Sequence, residues 1–138
     1  MSTINNTNTE KAYSVDILSS QHELSKLQKV AIVTNSAKKL DDMVPAPGDG
    51  DFLLEGITNF AKVHIHNDRA SENKDYDRLI IFTDDGAAFY TGSPTFYDRF
   101  MQIMELMDGE TGWALSCEKG ASNRYKGKNF LTCKVIGL

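Results

Sequence analysis

Arg78-Leu79-Ile80-Ile81-Phe82-Thr83-Asp84-Asp85-Gly86-Ala87-Ala88-Phe89-Tyr90-Thr91 decides the fold. Two short runs rich in β-branched and aromatic residues flank an Asp-Gly dipeptide, the pattern of a tight hairpin turn. A strand over 78–83, a turn at 84–86 and a returning strand over 87–91 follow. Upstream, Phe52 to His66 alternates. Ile57, Asn59, Ala61, Val63 and Ile65 fall on one side, and Thr58, Phe60, Lys62, His64 and His66 on the other, which predicts a long strand. Asn67 to Asp75 is the polar loop between them.

Downstream, Ser93 suits an N-cap and Pro94 the first helical position, and Phe96, Phe100, Ile103, Met104 and Met107 recur at helical spacing. A helix from Pro94 to Met107 is expected. Trp113 to Cys117 and Phe130 to Ile136 then supply two more strands, with Trp113 in phase with Leu115 and Cys117 and so expected in the core. Three strands, a helix and two strands is the order of the OB-fold, a partly open five-stranded barrel that binds oligonucleotides. The expected class is therefore mainly β, with that barrel over residues 51–138.

The first 50 residues read differently. Residues 1–10 are Asn/Thr-rich and expected to fray. Residues 11–50 read as a helical extension: Leu24, Leu27 and Ile32 lie at helix-like spacing, Ser20 and Glu23 suit a capping box, and a helix from Gln21 to Val33 follows. Lys38 to Met43 adds a turn. Pro45-Ala46-Pro47-Gly48-Asp49-Gly50 marks the boundary with the barrel.

A chain of 138 residues, 41% hydrophobic, closes one core. No apolar run approaches the roughly 20 residues that cross a bilayer, and the polar start lacks the apolar middle of a signal peptide, so a soluble cytoplasmic protein without membrane partners is expected. Cys117 and Cys133 are then reduced packing residues. Phosphate-loop, nucleophile-elbow and dinucleotide motifs are missing, so no enzyme activity, catalytic residue or cofactor is assigned. His64-x-His66 has no Cys/His pair at finger spacing beside it and is not assigned a metal. Asp84-Asp85 belongs to the hairpin turn, and Asp41-Asp42 to a solvated helix end.

Charge is distributed unevenly. Lys119 to Leu138 carries five cations and no acid; removing that +5 from the net charge of -4 leaves -9 on the first 118 residues. A basic block kept on an acidic chain points to a polyanion, because local field steers phosphate. Within it, Asn123-Arg124-Tyr125-Lys126-Gly127-Lys128-Asn129 interleaves cations with a ring and a glycine, the combination a single-stranded nucleic-acid site needs. Arg124, Lys126 and Lys128 are the leading phosphate contacts, with Lys119, Lys134 and Lys62 next. Tyr125 and Phe60 look misplaced for a core and, with Tyr90 and Phe130, are the candidate stacking rings.

Arg78 to Gly86, followed by Phe89-Tyr90 and Ser93, the Phe/Met-rich helix, and Ser122-Asn123-Arg124-Tyr125-Lys126-Gly127-Lys128-Asn129-Phe130-Leu131-Thr132, resembles the single-stranded DNA-binding proteins of small double-stranded-DNA bacteriophages of low-GC bacteria. The resemblance covers the chain from about Val44 onward. It implies a replication protein in the host cell cytoplasm that coats exposed single-stranded DNA without sequence choice and melts hairpins. The Asn123-Arg124-Tyr125 spacer is longer than that family's usual one or two residues. Two other readings stand beside it: an OB-like protein-interaction or virion-assembly module, suggested by the acidic first 118 residues, and a single-stranded RNA-binding protein. The N-terminal helix has three open roles: docking on the barrel, pairing subunits into a homo-oligomer, or binding a replication protein.

Overall fold

A computed structural model of the chain describes residues 13–69, 72, 74–121 and 128–137. It is mainly β, with two sheets. In chain order the elements are β1 (Tyr13–Ser20), α1 (Lys26–Val33), β2 (Lys38–Lys39), α2 (Leu40–Met43), β3 (Phe52–Glu55), β4 (Ile57–Asn67), β5 (Asp75–Thr83), β6 (Ala88–Thr91), α3 (Pro94–Leu106), β7 (Trp113–Ala121) and β8 (Asn129–Gly137). The larger sheet has the order β1-β4-β5-β6-β2, and the smaller has β3-β7-β8.

The hairpin anticipated from Arg78 to Thr91 is present. Thr83 N–H donates to Ala87 O at 3.0 Å, and the Asp85 carboxylate accepts from Thr83 Oγ1 at 2.5 Å and from Ala87 N–H at 3.1 Å. These donors hold the Asp85 carboxyl below its ordinary range, the Thr83 hydroxyl acting most strongly. Asp85 is thus a turn residue, in keeping with its place in the sequence.

The single long strand expected over Phe52 to His66 is two strands hinged at Gly56. Its φ of +68° suits glycine, and a Cβ there would collide with the Asp84 carboxylate. The pivot sends β3 to pair with β7 and β4 to pair with β5, so one continuous segment serves both sheets.

Between the sheets lies the larger core, in which Leu54, Phe60, Leu79, Ile81 and Phe89 meet Phe96, Phe100 and Met104 of α3 and Leu115, Cys117, Leu131 and Cys133 of the smaller sheet. Ser93 caps α3 by accepting from Phe96 N–H at 3.1 Å, so helix and cap match the expected ones. Trp113 packs against the same core. Cys117 and Cys133 face each other across β7 and β8 as buried thiols. Burial raises both, Cys133 to about 12, which leaves them protonated and inert as nucleophiles.

The other face of the larger sheet carries a second core: Ala61, Val63, Ile65, Ile80 and Phe82 under Leu24 and Ile32. The N-terminal segment departs here from its expected form. Tyr13–Ser20 is a strand paired antiparallel with β4, and Lys38–Lys39 pairs in parallel with β6. The helix begins at Lys26, not Gln21, because Ser25 makes the capping box with Gln28, while Ser20 Oγ donates to His22 O. Asn59, itself buried, grips the bend at His22, accepting from His22 N–H at 3.0 Å and donating to His22 O at 3.1 Å. Ile32 of the helix and Leu24 before it pack on the sheet, whereas Leu27, expected on the same stripe, is 81% exposed.

Candidate nucleic-acid interface

Phe60 is the clearest correction to the sequence-based site. It is buried in the larger core, with its ring edge-on to Phe100 at 5.1 Å. The alternation holds from Asn59 onward, although a register shift between Ile57 and Asn59 puts Ile57 with the Phe60 core. However, β4 is covered on both faces, by α3 on one and by α1 with Leu24 on the other. A side that looks solvent-facing in the sequence is therefore the inner one.

Lys62 lies on that inner side two residues further along. Its Nζ sits 4.8 Å from the Tyr97 ring centroid and 3.8 Å from the Asp77 carboxylate. Beyond it, both nitrogens of each imidazole meet a carboxylate: His64 contacts Asp77 at 2.7 Å and Asp75 at 3.1 Å, and His66 contacts Asp75 at 2.8 Å and Asp68 at 2.7 Å. Two acceptors per ring stabilise the imidazolium form. Both histidines are raised above 6.5, through Asp77 first for His64 and Asp75 first for His66, and Asp75 is lowered, through His66 first. Each imidazole is thus engaged with carboxylates.

The ribbon of β7 and β8 has a different character. Leu131 and Cys133 point into the core, so Phe130, Thr132 and Lys134 occupy the outer face. Phe130 pairs in register with Gly120, and the far end of its ring lies where a Cβ at position 120 would sit. The absent side chain makes room for the ring against the strand, yet Phe130 remains 41% exposed. Lys128 is exposed just before β8, and Lys134 is exposed further along the same strand, 3.7 Å from Glu118. Lys119 is opposite Leu131 and therefore belongs to the inner side. Arg124, Tyr125 and Lys126 lie outside the described residues.

Tyr90 faces away from Phe89, as the alternation requires, and stands on the outer face of the larger sheet. The Arg78 guanidinium lies 4.0 Å from its ring centroid and 5.3 Å from that of Tyr76, and donates to Asn35 Oδ1 at 2.8 Å. Arg78 and Tyr76 were not among the sequence-derived site residues. Their signal was present: positions 76, 78 and 80 share one strand face, and Ile80 pairs with Tyr90.

The expected residues thus divide among three surfaces: Phe130 and Lys134 outside the smaller sheet, Tyr90 outside the larger, and Lys62 and Lys119 on the inner sides. The first surface combines an exposed ring with Lys128 and Lys134, with Glu118 beside Lys134 on the same face, and it is the best nucleic-acid candidate. No family model, curated protein or solved structure matches the chain. Among the described residues, no helix is long and apolar enough to cross a membrane.

Proposed function

We propose that this chain binds single-stranded DNA without sequence choice, stacking bases on Phe130 and pairing phosphates with the cations of the β7 and β8 ribbon. The observation that carries the proposal is the half-exposed Phe130 ring over Gly120, on a segment that holds Lys128 and Lys134 and no acid. Rings stack on any base and cations meet any phosphate, so neither contact reads sequence.

Strand order supports the same reading. With β3 and β4 counted as one strand bent at Gly56 and the edge strands β1 and β2 set aside, the order β6-β5-β4/β3-β7-β8, with α3 between β6 and β7, is compatible with an OB-fold. Lys38–Lys39 takes the outer edge of β6, and the arrangement is accordingly an open one. The resemblance to phage single-stranded DNA-binding proteins suggests a role in coating template strands during replication.

The test is a titration of end-labelled oligo-dT of increasing length, read by anisotropy. Roughly three neutralised phosphates give a salt slope of about -2, so affinity falls about 20-fold between about 50 and 200 mM salt. Absent or salt-insensitive binding rejects the proposal. Matched RNA oligomers in competition separate the two nucleic acids; tighter binding of RNA would reassign the ligand.

A further inference from the structure

A second surface, independent of the nucleic-acid reading, lies where the end of α3 meets the segment after β1. A cleft of about 530 Å³ is lined by Leu54, Ile57, Met104, Met107 and Trp113 with Gln21 and His22 on its wall. It runs into a neighbouring groove of about 600 Å³ that shares Gln21, His22, Met104 and Asp108 and adds Phe60 and Met101. Met101, Met104 and Met107 line the two clefts with Ile57 and Trp113 among polar neighbours, and methionine adapts to differently shaped partners.

The walls are fixed before any ligand arrives. Gln21 N–H donates to Phe60 O at 3.0 Å, and Asn59 grips His22 from both sides of its peptide. Trp113 Nε1 donates to Glu110 O at 3.0 Å, which ties the turn after α3 to the indole. A preformed groove loses less ordering entropy on binding than a mobile one.

The rim selects the occupant. Glu55, Asp84, Glu105, Asp108 and Glu110 surround the two clefts, all exposed, and neither lysine nor arginine is among the lining residues. None of the five forms an ion pair among the described residues. Methionines set beneath a carboxylate rim match an amphipathic helix whose apolar stripe lies on them and whose flanks are basic. We infer that this groove is a docking site for a basic amphipathic segment of a partner protein.

Trp113, the only tryptophan, lines the cleft and reports occupancy without a label. The probe is a synthetic helix of about 14 residues, with leucines at i, i+3, i+4 and i+7 and lysines elsewhere. Saturable change of Trp113 emission is expected on titration into the full chain. A peptide of the same composition with its leucines scattered should bind about ten-fold more weakly, as should the original peptide to the Asp108→Lys/Glu110→Lys variant. Both replaced side chains are exposed, and circular dichroism checks that the variant folds. Equal affinity for the two peptides, or for the two proteins, overturns the inference. So does sedimentation showing that the chain alone dimerises and that the double variant is monomeric, since the occupant is then a second copy.

Discussion

The β4/β5 and β7/β8 ribbons are built alike and charged differently. Each is an antiparallel pair whose inner half is buried and whose outer half leaves the core. On the first, Lys62, His64 and His66 meet Asp77, Asp75 and Asp68 within the ribbon. On the second, Lys134 lies 3.7 Å from Glu118, while Lys119 and Lys128 form no ion pair among the described residues and the sequence from 119 to 137 contains no acid. Cations already held by neighbouring carboxylates have less field to offer a phosphate. The contrast teaches that neutralisation, rather than cation number, separates a structural ribbon from a binding one.

The rings of the two ribbons give the largest contrast. Phe60→Ala empties a core position and is expected to cost about 3–5 kcal/mol of stability, read by denaturant unfolding. Phe130→Ala is expected to leave unfolding nearly unchanged and to weaken oligo-dT binding by about 1–3 kcal/mol, roughly 5- to 150-fold. Reversal of that pattern, with Phe60 mattering to DNA and Phe130 to stability, breaks the comparison. Next come the cations. Lys128→Glu/Lys134→Glu is expected to weaken binding to every sequence about ten-fold or more and to flatten the salt slope by about 0.7 for each phosphate no longer neutralised. Lys62→Glu, on the neutralised ribbon, is expected to change affinity less than about three-fold by the same assay.

A smaller effect is expected from Gly120→Ala. The new Cβ displaces the Phe130 ring from the strand, so affinity falls a few-fold, about 1 kcal/mol, while Lys128 and Lys134 stay in place. The smallest effect concerns pH. Raised histidines stabilise the fold fully below their ordinary 6.5, and that contribution fades as pH rises through their folded values. The lowered Asp75 contributes above its ordinary 3.8 and loses its contribution as pH falls through its folded value. The His/Asp ladder is therefore intact between about 3.8 and 6.5. A small melting-temperature difference between the chain and His64→Gln/His66→Gln is expected at pH 5.5, narrowing in alkali; a difference that widens there contradicts the ladder.

Local elements were legible in the sequence wherever period and punctuation agreed. The Asp84-Asp85-Gly86 turn, the Ser93 cap and the stripe from Phe96 to Met104 all appear where the spacing puts them. Other features depended on tertiary partners. Gly56 reads as one residue of a strand because its role as a pivot exists only once Asp84 packs against it. Tyr13–Ser20 pairs with β4, and the short alternation of Tyr13, Val15 and Ile17 with Ser14 and Asp16 was its local signal. For the site, the sidedness of Tyr90, Phe130 and Lys134 was readable by alternation, but alternation does not say which face is covered. Phe60 therefore reads as a ligand contact in the sequence and belongs to the core in the fold.

The central claim is that bases lie against position 130. In a Trp113→Phe background, Phe130→Trp places the sole indole there. Oligo-dT should quench its emission strongly at low salt and release it as salt rises, while Trp113 in the unaltered chain stays unquenched. Quenching at Trp113 with none at position 130 would contradict the account.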